Sequence, residues 1–562
     1  MKTRRNLIKI YLLWAVLLSV PAMVQAQFSY ATNNGAITIT GYAGSGGQVI
    51  IPSTINGLSV TIIGTSAFSG IGSLTNVMVP DSITSIGSFA FSTCTNLSGI
   101  TIGASVTGIG DSAFMNCASL TSVAMPNRVT SIGNSAFSAC THLTSITIGT
   151  NVTGVGSSAF ANCSSLINVI IPNRATNIGS SAFSACVNLS GITIGTDVMS
   201  IGSFAFANCA SLTNVTLPNS VASVGVQAFS SCSRLTDVTL GTNVTSLGSA
   251  VFSSCSRLAS LTIPNSVTNI GDLAFQNCAA LTNATIGNGV TSIGNYMFFA
   301  DTSLANISVG NNVTSIGNDA FSSCSSLAGI TIPNTVTNIG NYAFASCTSL
   351  TGVIIPNSVI SIGIYAFYNC AGLGNVAIGN SVTSIGDGAF DSCVGLNVIT
   401  IPNSVKRIGG SAFSFCSNLA SITIGASVTN IGDYAFSSCT SLTGAYFRGN
   451  APVPGLSIFY NASNTIVYYL PGTTGWGTTF DGQPAEQLIS PAQMSNAGVR
   501  SNLFGFTITG TSNSMVVVET CRYLTNAVWS PLGTNTLTNG SLYFSDPHWT
   551  NDPVHFYRLR SP

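Results

Sequence analysis

Apolar side chains fall on a fixed grid in this chain. Phenylalanine stands at position 68 and recurs at every twenty-third residue, as Phe91, Phe114, Phe137 and onward to Phe436, seventeen times in all. Two more columns keep the same register, Gly64, Gly87, Gly110 through Gly432 and Leu74, Leu97, Leu120 through Leu442. A period of this length predicts stacked coils, because a single coil cannot shield its own Phe, Leu, Ile and Val from water, whereas each can pack on its equivalent in the next.

Within the coil that begins at Phe137, Ile146 and Ile148 alternate with Ser145 and Thr147. That alternation predicts a short strand after Leu143 with its apolar side inward. Val152 and Val155 make a second inward contact before Gly156, whose recurrence implies a backbone conformation or a close approach that a side chain would forbid. The segment Ser157-Ser158-Ala159-Phe160 closes the coil, and some helical or 3₁₀ character is expected there. Phe137, Cys140, Leu143, Ile146, Ile148 and Gly156 are thus the anchors of the repeat. Seventeen coils at the usual strand spacing predict a body on the order of 80 Å long with a parallel sheet along one side.

The residue after the strand carries a second period. Pro80, Gly103, Pro126, Gly149, Pro172, Gly195, Pro218, Gly241, Pro264 and Gly287 alternate, then the pattern slips at Gly310, Pro333 and Pro356. The slip lies beside Asp301, which stands where a cysteine is expected, and it reads as a seam between duplicated blocks. Fifteen of the sixteen cysteines follow the column phenylalanine by three residues, from Cys94 to Cys439. Equivalent positions on stacked strands lie about 4.8 Å apart with parallel Cβ vectors, whereas a relaxed disulfide needs converging Cβ atoms about 3.8 Å apart. Buried thiols are therefore predicted, and a linear column does not offer the converging ligands of tetrahedral zinc.

Charge narrows the functional classes. Only 5% of the residues are charged and the formal balance is zero, which excludes the basic footprint of a nucleic-acid binder. Mean hydropathy is +0.48, yet beyond residue 26 polar or turn residues break the apolar runs within about ten positions, short of the roughly 20 needed to span a bilayer. No transmembrane segment is predicted in the mature chain. Lys2, Arg4, Arg5 and Lys9 precede the apolar run Ile10 to Val20, and Val24-Gln25-Ala26 offers a cleavage site, so residues 1–26 read as a signal peptide. Thr3 to Lys9 is close to a twin-arginine signal, but the apolar stretch after it favours the ordinary secretory route. Removal of the segment leaves eleven basic residues against fifteen acidic ones, a net charge of −4.

The string from Ser411 to Gly432, Ser-Ala-Phe-Ser-Phe-Cys-Ser-Asn-Leu followed by Ile-Thr-Ile and Ser-Val-Thr-Asn-Ile-Gly, resembles the BspA-like, treponemal-type leucine-rich repeat family. The likeness extends over residues 65–447. It implies a right-handed leucine-rich-repeat solenoid, rich in β structure, on a secreted or surface-displayed bacterial protein associated with adhesion and protein binding. It implies no catalytic residue.

Residues 27–64 are expected to cap the first coil, with Phe28 to Tyr30 and Ile37 to Ile39 forming a hairpin about Asn33-Asn34-Gly35. Residues 448–489 are expected to close or link the other end, with a strand from Thr465 to Leu470 before Pro471-Gly472. Leu470 to Thr474 superficially resembles a sortase signal but lacks the final Gly and an apolar tail. Residues 490–562 read as a small β-sandwich, with strands at Phe504 to Thr509, Ser514 to Glu519, Ser541 to Phe544 and Val554 to Leu559.

Candidate chemistry is sparse. Asp546, His548 and His555 could approach a common metal, but their spacing matches no recognised site and turn roles fit better. No carboxylate pair is brought to one point by the repeat, and the glycines lack the strand, helix and lysine context of phosphate binding. No enzyme, metal site or cofactor is predicted. The outward strand column Thr101, Ala124, Thr147, Ile170, Thr193 and onward to Thr331 could face a lattice or polysaccharide, although threonine suits an exposed strand by propensity alone. Arg128, Arg174, Arg234 and Arg257 stand out on an otherwise neutral wall and are the candidate surface-binding residues. The expected function is binding and adhesion to a protein partner, with slight salt dependence because no charge cluster is visible. The alternative is a glycan- or envelope-associated protein whose C-terminal domain binds while the solenoid acts as a spacer.

Overall fold

The computed structural model describes residues 26–488 and 492–560, apart from 502, 513, 523, 526, 547 and 550–554, so the targeting segment lies outside the described residues except for Ala26. The chain forms a β-solenoid of about 19 turns of ~23 residues with parallel sheets and almost no helix, and small antiparallel sheets follow at the C-terminus. It divides into two compact units, up to Leu396 and from Asn397 onward.

Each coil has three hydrogen-bonded sides. On the first, Ser145–Thr147 pairs in parallel with Ser122–Ala124, in the register Ile146 to Val123. On the second, Gly154–Val155 pairs with Asn177–Ile178. The third side is the turn around the column phenylalanine. There the N–H groups of Ser135, Phe137 and Ala139 donate to the carbonyls of Ser157, Ala159 and Ala161 at 2.8, 2.7 and 2.8 Å. The helical character expected of this turn is not what the chain adopts, since Ser135 and Ala139 lie at φ +53° and +59°. With two left-handed residues four positions apart, every second N–H of the turn reaches the next coil, which satisfies groups that a buried turn would otherwise leave unpaired. The left-handed pair recurs from coil to coil, for example at Ser158 and Asn162 and at Tyr342 and Ser346.

Inside, the columns stack on themselves. Phe160 and Phe183 are fully buried and lie with ring centroids 5.2 Å apart and planes 11° from parallel. Along the first unit the column rings keep spacings from 4.9 Å at Phe68–Phe91 to 5.9 Å at Phe252–Phe275. Burial of each phenylalanine contributes about 1.5–3 kcal/mol, and ring stacking roughly 0.5–1.5 kcal/mol more. The glycine column serves close approach: a Cβ on Gly156 would fall 2.5 Å from the Gly133 carbonyl oxygen, and Gly156 does not have a left-handed φ. Adjacent coils touch backbone to backbone there, so even alanine would force them apart.

At the slip in the Pro/Gly pattern the first side changes. Asn306–Ser308 and Gly352–Ile355 are strands, but the intervening coil, around Gly329 to Ile332, has none among the described residues. The second side is continuous through the same point, with Ser315–Ile316 paired to Asn338–Ile339 and that strand to Ser361–Ile362.

At the N-terminal end, Phe28–Asn33 and Ala36–Tyr42 form the expected hairpin, with Asn34 and Gly35 at φ +49° and +78°. The second of these strands joins the solenoid in parallel beside Leu58–Ile63, and the Phe28 and Tyr42 rings pack on Phe68. In the second unit parallel pairing continues beyond residue 447. Gly444–Phe447 pairs with Ile466–Tyr469, which pairs with Gln483–Gln487, and Phe459 stacks on Phe436 at 5.6 Å. Gly455, Phe459 and Ala462 thus occupy the same grid as Gly432, Phe436 and Cys439. Trp476 lies flat on Tyr469 at 5.0 Å and edge-on to Phe447, closing that core.

The last region contains two three-stranded antiparallel sheets, one of Gln493–Arg500, Leu503–Thr509 and Ser541–Asp546, the other of Ser530–Thr536, Met515–Cys521 and Phe556–Arg560. Phe506, Ile508, Val516, Val518 and Leu537 form their shared core. Gln493–Arg500 and Ser530–Thr536 have no counterpart in the sequence expectation, because both are edge strands with hardly any buried residue and no apolar alternation.

Candidate functional site

All sixteen cysteines are buried thiols. Each column thiol that donates a hydrogen bond does so to the phenylalanine carbonyl of the preceding coil, as Cys140 Sγ to the Phe114 oxygen at 3.2 Å and Cys163 Sγ to the Phe137 oxygen at 3.2 Å. Burial pushes the Cys94 thiol up to about 11 and the Cys163 and Cys232 thiols up to about 12. Such thiols are poor nucleophiles and poor metal ligands, and their work is to satisfy a core carbonyl.

Asp301 takes the cysteine's place between Cys278 and Cys324 and is fully buried. Its Oδ1 accepts the Cys278 backbone N–H at 2.7 Å, while Oδ2 has no hydrogen-bond partner. Burial holds its carboxyl well above the usual range, because a charge there would be cut off from water, and so favours the protonated form.

In the C-terminal region Asp546, also fully buried, organises a loop. Its Oδ1 accepts the His548 backbone N–H at 2.8 Å, and its Oδ2 accepts the Tyr557 hydroxyl at 2.9 Å and lies 3.7 Å from His555 Nδ1. Thr520 Oγ1 meets that same Nδ1 at 3.3 Å. A nucleophile relay needs the hydroxyl and the carboxylate on opposite ring nitrogens, and here both address one. His548 joins through its main chain, so the three candidate residues meet as a turn scaffold. Among the described residues no group of three His, Cys, Asp or Glu could hold a metal ion. Nearby, Arg558 and Arg560 both pair with Glu519, at 2.7 and 3.0 Å, and the Arg558 guanidinium lies over Trp529 at 4.5 Å.

The four candidate arginines are exposed but do not form one patch. Arg128 and Arg174 follow the first-side strand, in the turn that precedes Val129 and Ala175, whereas Arg234 and Arg257 stand just before Leu235 and Leu258, ahead of that strand. They therefore occupy two different corners of the coil. Arg174 donates to Asn151 Oδ1 at 3.0 Å. The outward threonine column is exposed, but Ile170 at 67% and Ile354 at 72% exposure interrupt it. On the second side the threonine hydroxyls are engaged within the ladder, as Thr130 Oγ1 to the Thr107 oxygen at 3.1 Å and Thr153 Oγ1 to the Thr130 oxygen at 3.1 Å.

A surface feature not singled out from the sequence lies on the turn side of the later coils of the first unit. Two columns flank the buried phenylalanine there. One reads Tyr296, Asp319, Tyr342, Tyr365 and Gly388, the other Phe299, Ser322, Ala345, Tyr368 and Asp391. Tyr342 and Tyr365 stack at 5.1 Å with planes 18° apart, and Tyr368 stands edge-on to Tyr365 at 5.6 Å. A Cβ on Gly388 would intrude into the Tyr365 ring, so the absence of a side chain at that position gives the ring its seat. The signal was present in the grid, as aromatics two residues before and one after the column phenylalanine where serine is common.

No curated protein matches this chain at a significant level. Among solved structures, a leucine-rich repeat protein from Bacteroides ovatus is 24% identical over 75% of this chain and 93% of its own, with a TM-score of 0.45. A leucine rich cell surface protein from Faecalibacterium prausnitzii is 26% identical over 75% of this chain and 93% of its own, with a TM-score of 0.28. The T. pallidum leucine rich repeat protein is 29% identical over 42% and 88%, with a TM-score of 0.27. The profile of the BspA type leucine rich repeat region, built of six copies, matches residues 61–190, 154–281, 227–351, 291–376 and 337–466, well over half of the sequence. This chain belongs to the BspA-type leucine-rich repeat family.

Proposed function

We propose that this chain is a secreted or cell-surface, non-enzymatic binding and adhesion protein that engages protein partners through the exposed side of its repeat array. One observation supports this reading above all: the buried columns repeat almost without change while the exposed positions of the same coils vary from serine to tyrosine to aspartate. Membership in a family of repeat scaffolds fits it, and no helix among the described residues is long and apolar enough to cross a membrane. Arg128, Arg174, Arg234 and Arg257 are charged points that a partner would meet on the earlier coils. The test is to offer the full chain to immobilised purified extracellular proteins and polysaccharides and to map hydrogen-exchange protection of the bound chain. Protection within residues 65–488 on a protein is the expected result. Capture by polysaccharide alone, or protection confined to 492–560, would replace this reading with the glycan-module alternative.

A further inference from the structure

Between Arg257 and Lys406 the chain contains no lysine, arginine or histidine, but five aspartates, at 272, 301, 319, 387 and 391. In the coils from residue 65 to Arg257, by contrast, Asp81, Asp111, Asp197 and Asp237 are balanced by four arginines. The stretch without cations is also the stretch that displays the aromatic turn face. Its rings are not placed there by folding: Tyr296, Tyr342 and Tyr365 hold bulky side chains at φ +54°, +55° and +53°, where a large L-residue is strained. Tyr296 and Tyr342 remain 39% exposed, so burial does not offset the strain at either, and Tyr368 beside them is 37% exposed. Earlier coils fill the equivalent position with Ser112, Ser135, Ser158 and Ser181 and stack equally well, and the exposed Phe89 and Phe204 stand five coils apart.

The carboxylates are set among these rings. Asp319 lies within electrostatic reach of the Tyr296 hydroxyl and of Ser322, and Asp391 accepts the Ser392 hydroxyl at 2.8 Å. The field they create reaches the rings. Asp319 is the leading cause of the raised Tyr296 hydroxyl pKa, and for Tyr365 burial leads, with Tyr342, Asp391 and Asp387 adding to it. A field that opposes a tyrosinate favours a cation in the same place. Guanidinium is the cation suited to flat rings beside carboxylates, since it stacks on an aromatic face and forms bidentate bonds to a carboxylate. The chain itself uses this combination elsewhere, with Arg558 lying over Trp529 while bonded to Glu519.

We propose that the turn face formed by Tyr296, Asp319, Tyr342, Tyr365, Tyr368 and Asp391 is a docking site for an arginine-bearing, basic segment of a protein partner. The proposal rests on the protein-binding reading above and names the face and the chemistry of the partner. Asp319 and Asp391 lie three coils apart, about 15 Å at ordinary strand spacing, a span covered by about five residues of extended chain. The overall charge balance concealed the site, because cations elsewhere in the sequence cancel this stretch in the total.

The test measures binding of a nona-arginine peptide, a glycine-serine peptide of equal length and a neutral hexasaccharide to the full chain. The same measurements are made on a Tyr342→Ser, Tyr365→Ser, Tyr368→Ser triple variant and on Asp391→Asn, with thermal melting recorded for each. The expected result is arginine-peptide binding that weakens on going from about 50 to about 500 mM salt. The triple variant should reduce affinity at least about tenfold and Asp391→Asn roughly threefold, with the melting transition kept. Should the triple variant not fold, the exposed Tyr368→Ala alone carries the test, with a reduction of about threefold expected. Equal binding by variant and native chain, no arginine-peptide binding, or tyrosine-dependent binding of the hexasaccharide in place of the peptide would overturn the proposal. A protein partner held equally well by the native chain and the triple variant would end this inference while leaving the broader protein-binding function standing.

Discussion

Two stretches of one solenoid unit, the coils up to Arg257 and those from Asp272 to Leu396, share their buried columns, apart from Asp301 in the cysteine column, and differ in what they show to solvent. Phe160 in the first and Phe344 in the second are both fully buried and stacked, at 5.2 Å on Phe183 and 5.1 Å on Phe367. Yet the turn side of the first is mostly serine, broken by the isolated Phe89 and Phe204, with aspartates and arginines in balance, while that of the second carries clustered tyrosines beside aspartates, with no lysine or arginine in the stretch. Because each coil contacts only its neighbours, a surface can diverge coil by coil without disturbing the packing that holds the array together. The interior of such a protein states how it folds, and its outer surfaces are free to differ from one stretch to the next.

The largest effect that could break this equivalence is loss of a column ring. Phe160→Ala and Phe344→Ala should each destabilise the first unit by about 3–5 kcal/mol, as for deletion of any fully buried phenylalanine. Urea unfolding should give values within about 1 kcal/mol of each other. A much smaller loss at Phe344 would mean that the aromatic face is bound up with the core beneath it.

Next in size is Asp301, the one buried position of the column at which the later stretch departs from the cysteine pattern. Its folded carboxyl is held well above the usual range by burial, so the folded chain keeps a proton that the unfolded chain releases above about pH 4. The stability associated with that group is complete below about pH 4 and is lost as the pH rises toward the folded value. Asp301→Cys should therefore stabilise the chain at pH 7, by about 1–3 kcal/mol for removal of an unpaired buried oxygen. Urea midpoints should show the gain shrinking as the pH falls to about 4. A gain that grew on acidification would mean that Asp301 is ionised in the fold.

The smallest stability effect belongs to the surface itself. Ser135→Tyr combined with Ser158→Tyr would place two neighbouring rings on the earlier coils, at left-handed positions where a bulky residue is strained, and the melting transition should fall by about 1 kcal/mol equivalent or less. Without Asp319 and Asp391 beside them these rings should not capture nona-arginine. Capture by this graft would show that rings alone suffice and that the carboxylates are dispensable.

How much could be read from the residues varied with the kind of contact. The period, the anchor columns, the N-terminal hairpin and the thiol state of the cysteines were legible because identical residues at identical spacing must pack on one another. The extra coil through Phe459 escaped notice because Thr465 replaces the column leucine and Tyr446 to Pro452 abandons the Ser/Thr pattern. The edge strands Gln493–Arg500 and Ser530–Thr536 left no trace, since an exposed edge needs no apolar alternation. The candidate arginines looked like one group in a list of charges, but the coil separates them onto two corners.

The sequence by itself determined which side chains are buried and in what register, since a 23-residue period of phenylalanine, glycine and leucine permits one self-consistent stacking. Tertiary structure alone decided the turn conformation, because Ser135 and Ala139 become left-handed only when the next coil presents carbonyls to receive the hydrogen bonds. It alone seated the Tyr365 ring above Gly388, two residues 23 positions apart in the chain, and joined Asp546 to Tyr557 and His555. The physical reason is the same in each case: a column can be read one coil at a time, whereas a surface exists only once neighbouring coils are side by side.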